Sequence, residues 1–167
     1  MCIRDSPHVF GTVEATTSDE VLTNWEQIKQ AEKGHASVMD GLPGNLPSLL
    51  YAHKVQKKAA AVGFDWDDVE GAFPKIVEET GELRAALDAG SGDHDHVRDE
   101  LGDLLFAVVN VARHLGLDAE AALRAATAKF RERFQGVERL VAARGLVLRD
   151  LSLAELDTLW DEVKATS

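Results

Sequence analysis

At 167 residues and 45% hydrophobic side chains the chain can bury the core of one domain, and its longest apolar run, LLFAVVNVA at 104–112, falls far short of the roughly 20 residues of a membrane span. A formal net charge of -11 repels polyanions, which excludes nucleic-acid binding through a basic face. The single cysteine, Cys2, excludes an internal disulfide and a cysteine-built metal site; with no basic-then-apolar leader at the N-terminus, a cytoplasmic location is expected.

Residues 1–17 carry no hydrophobic periodicity and read as an irregular segment. Ser18 is a good N-cap, and SDEVLTNWEQIKQAEK (18–33) spaces Val21, Leu22, Trp25 and Ile28 along one helical face. The Gly- and Pro-rich stretch that follows makes 18–47 a helix plus linker. Ser48 starts SLLYAHKVQKKAAAVG, with Gly63 as its C-cap. FDWDD (64–68) is a turn leading into a helix to about Ala89, in which Pro74 sits in the first regular turn or marks a kink. GSGDHDH (90–96) reads as a loop, and a helix runs from about His96 to Leu115, stopped by Gly116. Asp118 caps a long helix to about Arg144, and Ser152 with Glu155 forms an S-x-x-E capping box for a last helix ending near Lys164. No segment alternates with period two. The expected fold is all-α, an antiparallel bundle of about five to six helices, with 48–167 as one domain.

Two of these helices crowd carboxylates. KIVEETGELRAAL (75–87) holds Glu78, Glu79 and Glu82 around Gly81, and RDELGDLL (98–105) holds Glu100 and Asp103 around Gly102. Residues three or four apart share a helix face, so Glu79 stacks on Glu82 and Glu100 on Asp103, with Asn110 two turns beyond. The short connection makes the helices antiparallel neighbours, so the pairs can face each other. Expected core stripes are Ile76, Val77, Leu83, Ala86 and Leu87 on the first helix and Leu101, Leu104, Leu105, Val108 and Ala112 on the second. Like charges at this spacing repel, and each glycine costs about 1 kcal/mol in a helix interior. Both penalties are explained if backbones or a ligand come close and a cation sits among the carboxylates. All-oxygen donors favour Mg²⁺ or Mn²⁺ over zinc. A solvated acidic face is the plain alternative. A ferritin-like di-iron site would need E-x-x-H motifs that are absent here.

Lys75, the E-E-x-x-E run and ELGDLLF (100–106) resemble the MazG-type nucleoside triphosphate pyrophosphohydrolases. The resemblance extends through GFDW (63–66), VVNVARHLG (108–116), KFRERF (129–134), VERLVAARGL (137–146) and a late Trp160 with Lys164. PHVFG (7–11) and EVLTNWEQIKQAEK (20–33) are similar to the junction after the N-terminal domain of two-domain members, so the chain is expected to be the C-terminal catalytic half. The resemblance implies an all-α intertwined homodimer that hydrolyses a nucleoside triphosphate to the monophosphate and pyrophosphate with Mg²⁺. Carried over, Glu79, Glu82, Glu100 and Asp103 are metal ligands, and Glu78 and Glu79 are the catalytic pair. Lys75, Glu78, Arg98, Lys129, Arg131, Arg133, Trp160 and Lys164 border the nucleotide.

These roles are chemically coherent. Water attack at the α-phosphorus needs positioning and charge stabilisation, and Glu78 is placed to accept the water's proton. Lys129 and Arg133, four apart on one face, can reach phosphates or serve as an ordinary surface pair. Trp160 belongs to an apolar stripe and packs in a core unless it stacks on base or ribose. His94 and His96 lack a third ligand and read as loop residues. A catalytically silent nucleotide-binding module and a dUTPase- or dCTPase-like relative are the competing functions.

Overall fold

The computed structural model describes residues 37–89 and 94–166; the expected helix at 18–33, the PHVFG segment and residues 90–93 lie outside them. The described residues form α1 (Ser48–Ala60), α2 (Val69–Asp88), α3 (His94–His114), α4 (Ala119–Ala143), a 3-10 turn (Leu148–Asp150) and α5 (Leu153–Ala165), with no strand among them. None of these helices is long and apolar enough to cross a membrane. The chain divides into two compact units, one ending at Gly116 and one beginning at Leu117.

In the first unit α2 and α3 pack along each other, and α1 packs on α3. Asp68 caps α2, its Oδ1 accepting from the Gly71 N–H at 3.2 Å. Pro74 lies inside α2, beyond the expected first turn, so one intrahelical donor is missing there. Helix α3 begins at His94, two residues before its expected start. His94 and His96 therefore stand on its first turn, not in a loop, and Asp95 between them offsets the positive end of the helix dipole.

The expected core stripes are only partly buried. Ala86 is buried, and Ile76, Leu83, Leu104 and Ala112 are half-buried. Val77 and Leu87 on α2, and Leu101, Leu105 and Val108 on α3, are exposed, Val77 at 74%. The buried positions are mostly small: Ala72 and Ala86 on α2, and Ala107, Val109 and Val111 on α3, together with Glu79 and Asn110. Small side chains let the two helices approach, and the large residues fall outside that seam.

The glycines follow the same logic. A Cβ added at Gly81 or Gly102 meets nothing within 4 Å, so packing among the described residues requires neither. At Gly71 it would lie 2.6 Å from Trp66 Cδ1, so here α2 admits a tryptophan against its backbone.

In the second unit Asp118 caps α4 by accepting from the Ala121 N–H at 3.0 Å, and both arms of the Ser152–Glu155 capping box are formed. Hydrogen bonds from the Ser152 hydroxyl and backbone N–H hold the Glu155 carboxyl below its usual pKa. Val137, Val141, Leu159 and Val163 form the core, with Leu156 and Trp160 packed against it. Arg144 bridges to Glu162 at 3.2 and 2.5 Å. Gly136 is the point of closest approach: an added Cβ would lie 2.8 Å from Val163 Cγ1, and a helical valine has little χ1 freedom to withdraw. Gly136→Ala should gain about 1 kcal/mol of helix propensity and lose about 1–3 kcal/mol to overpacking. Thermal unfolding followed by circular dichroism should show a lower Tm.

Candidate active site

Helices α2 and α3 bring the carboxylates together. Glu78, Glu79 and Glu82 present oxygens within 4.8 Å of one another, and so do Glu79, Glu100 and Asp103. Glu79 belongs to both sets and is the buried member, 7% exposed. Lys75, one turn earlier on α2, reaches Glu79 Oε1 at 2.7 Å and Glu78 Oε1 at 2.8 Å. Those two hydrogen bonds raise the Lys75 pKa and keep its ammonium charged. His96 Nδ1 stands 3.4 Å from Glu100 Oε1. Desolvation raises the Glu82 carboxyl above its usual pKa, and repulsion from Glu79, Glu100 and Glu78 adds to it.

The four expected metal ligands thus fall in two acidic groups joined through Glu79, Glu82 in one and Glu100 with Asp103 in the other, and each group could hold a metal ion. Oxygens bound to one hard divalent ion at about 2.1–2.4 Å lie up to roughly 4–5 Å apart, which the observed spacing fits. The absence of nitrogen and sulfur donors from both sets suits such an ion.

A pocket of about 340 Å³ adjoins the cluster, with Lys75, Glu79 and Asp103 in its wall. Met39, Phe64, Trp66 and Phe106 supply much of the apolar lining, and Gln56 and Asn110 bring polar groups. The size lies at the lower end of small-molecule sites. Three contacts hold the walls. Trp66 lies against Gly71. Lys58 Nζ donates to the Val38 and Asp40 carbonyls at 2.9 and 3.1 Å, fixing the segment that carries Met39. Asp65 ties the 63–66 turn to the end of α3, accepting from Arg113 at 2.8 and 2.5 Å with His114 Nε2 at 3.1 Å. Arg113 also donates to Asn110 Oδ1, at 3.1 and 2.6 Å.

The Arg113 hydrogen bonds and charge hold the Asp65 carboxyl below its usual pKa, against the opposing effect of desolvation. A lowered folded pKa adds stability above the unfolded value and loses it as pH falls through the folded one. Asp65→Asn should therefore cost about 1–3 kcal/mol at neutral pH. Denaturant unfolding at a series of pH values should show wild type and variant converging as pH falls through the lowered pKa of Asp65.

Arg98, expected at the nucleotide, is exposed near the start of α3 and pairs with Asp95. The other expected contacts belong to the second unit. Lys129 and Arg131 are exposed on α4, Arg133 is half-buried, and Lys164 pairs with Asp161 at 2.6 Å. Trp160, also expected at the nucleotide, packs on the apolar core and meets Phe130 at a centroid distance of 5.1 Å. Gln56, Asp65 and Arg113 were not among the expected site residues. Only Gln56 leaves a local trace: it interrupts the apolar spacing Ala52, Val55, Ala59 on α1.

Residues 68–137, from the cap of α2 into α4, match the MazG nucleotide pyrophosphohydrolase domain. Over 164 residues the chain is 45% identical to an Escherichia coli protein named nucleoside triphosphate pyrophosphohydrolase, covering 96% of this chain and 62% of that protein. It is 42% identical over 164 residues to a Thermotoga maritima protein named nucleoside triphosphate pyrophosphohydrolase/pyrophosphatase MazG, covering 97% and 61%. It is also 43% identical over 166 residues to the Bacillus subtilis protein YabN, covering 98% and 34%. The chain therefore spans about three-fifths of the length of the first two relatives.

Proposed function

We propose that this chain is a member of the MazG family of nucleotide pyrophosphohydrolases and that it hydrolyses nucleoside triphosphates to monophosphate and pyrophosphate with Mg²⁺, or Mn²⁺ in its place. The observation that carries this reading is Glu79, shared by two carboxylate sets and lining the adjoining pocket.

Glu79, Glu82, Glu100 and Asp103 hold the cation, which when bound neutralises phosphate charge and makes water a better nucleophile. The pocket takes the nucleoside and sets its α-phosphate at the carboxylates. The water oxygen bonds to the α-phosphorus, and the bond from that phosphorus to the bridging oxygen breaks, releasing pyrophosphate. Glu78, more exposed than Glu79 and steadied by Lys75, accepts the water's proton. Arg98, Lys129, Arg131, Arg133, Trp160 and Lys164 are assigned to substrate binding by family resemblance. We assign the exposed stripe of Val77, Leu101, Leu105 and Val108 to a homodimer contact, because large apolar side chains at this spacing call for a covering surface. Leu101→Glu with Leu105→Glu should give monomers by light scattering.

The test of the reaction is product analysis: incubate the chain with Mg²⁺ and a panel of ribo- and deoxyribonucleoside triphosphates, and resolve all products. Monophosphate with pyrophosphate is expected, abolished by chelator. Diphosphate with phosphate would contradict the reading, and binding without turnover would indicate a silent module.

Desolvation of Glu82, with repulsion from Glu79, Glu100 and Glu78, gives a second test. Because its folded pKa is raised, the metal-free chain loses stability as pH rises from the ordinary 4.5 through that higher value. At neutral pH, Mg²⁺ should raise Tm, and the gain should fade on acidification. Glu82→Gln should raise the metal-free Tm and shrink the Mg²⁺ response.

A further inference from the structure

We propose that Gln56 reads the nucleobase, its side-chain carbonyl accepting a hydrogen bond from an exocyclic amino group. This rests on the nucleotide-binding reading above and deepens it. Gln56 lines the pocket on α1 and is 6% exposed. Its Nε2 donates to the Phe106 carbonyl at 2.8 Å, which fixes the orientation of the amide. Its Oε1 is the one buried side-chain polar atom among the described residues that lacks a hydrogen-bond partner.

A glutamine kept only for packing would pair both ends, because a buried unpaired carbonyl is destabilising. Here half of the amide is anchored and the other half is left without a donor, on a residue that lines the same pocket as Phe64, Trp66 and Phe106. The carbonyl gave up its water on folding, so a donor arriving from a ligand meets an acceptor that needs no further desolvation. Asn110 complements it. The two hydrogen bonds from Arg113 to Asn110 both fall on Oδ1, which turns the Asn110 amino group the other way, and Asn110 also lines the pocket. The pocket thus offers an acceptor and a donor, the pair that an amino group beside a ring nitrogen satisfies on cytosine or adenine. Because Oε1 is recessed, the group that reaches it must project from the ring. An exocyclic amino group does so. The ring N–H of uracil lies between two carbonyl oxygens, which would be forced against the glutamine carbonyl.

The test uses non-hydrolysable α,β-methylene triphosphates and calorimetry with Mg²⁺. Two ligand pairs differ only in the amino group: cytosine against 2-pyrimidinone, and adenine against unsubstituted purine. For the preferred ring size, removing the amino group should weaken binding to the wild-type chain by about tenfold. In Gln56→Met the two ligands of that pair should bind equally and weakly, and the Tm of the free protein should be unchanged or higher. A glutamine with a purely structural role would instead lower Tm and leave the ligand ratio as it was. Equal binding of both pairs to wild type would overturn the assignment even if the variant failed to fold, and so would a wild-type ratio retained in Gln56→Met. These are binding measurements, so discrimination without pyrophosphate release would refute the hydrolytic reading and leave the base contact standing.

Discussion

Glu79→Gln is expected to reduce kcat by about a thousandfold, the scale seen when a principal electrostatic contact of a transition state is removed. Glu79 is the only carboxylate common to both sets, so its loss breaks the link between α2 and α3 at the cluster. Its Lys75 contact would be weakened at the same time, because a neutral amide replaces the charged acceptor. Steady-state kinetics at saturating Mg²⁺ should show the fall in kcat. Glu78→Gln gives the contrast: turnover should drop while nucleotide affinity stays near wild type, as expected for a proton acceptor that is not needed to hold the cation.

Gly71→Ala should damage the site from a distance. The new Cβ would fall 2.6–2.9 Å from Trp66 Cδ1, Cγ and Cβ, and the last of these is too close to the main chain for a rotamer change to relieve. The tryptophan and its turn must move, which strains the neighbouring Asp65–Arg113 tie and opens the pocket. A stability loss of about 1–3 kcal/mol is expected in denaturant unfolding, with a KM raised by about tenfold or more as the apolar wall is lost. Gly102→Ala is the control. Open space surrounds its added Cβ, so it should stabilise the isolated chain by up to about 1 kcal/mol. A drop in activity or dimerisation in that variant would mean that a ligand or a second copy approaches the backbone there.

The chemistry-bearing cluster was legible because it is local: E-E-x-x-E and E-x-x-D place their oxygens by helix periodicity, and a short connection pairs the two helices. The helix starts at Asp118 and Ser152 were legible for the same reason, since each cap is satisfied within three residues. The pocket was not. Gln56 meets Phe106 and Asp65 meets Arg113 across 50 and 48 residues of sequence, and spacing carries no sign of such contacts. The stripe of Leu101, Leu105 and Val108 shows a different limit. Periodicity identifies an apolar face but not what covers it, and within one chain the small residues take the helix seam. The glycines show the same limit: spacing singles out Gly81 and Gly102 beside the carboxylates, whereas among the described residues it is at Gly71 and Gly136 that a side chain presses on the backbone.

The claim beneath the whole account is that opposed carboxylates on α2 and α3 form one cation site. Mn²⁺ titration followed by electron paramagnetic resonance, without nucleotide, tests it most directly. The wild-type chain should take up Mn²⁺ in competition with Mg²⁺, and Glu79→Gln and Asp103→Asn should each weaken that uptake. Binding in both variants indistinguishable from wild type would contradict the account.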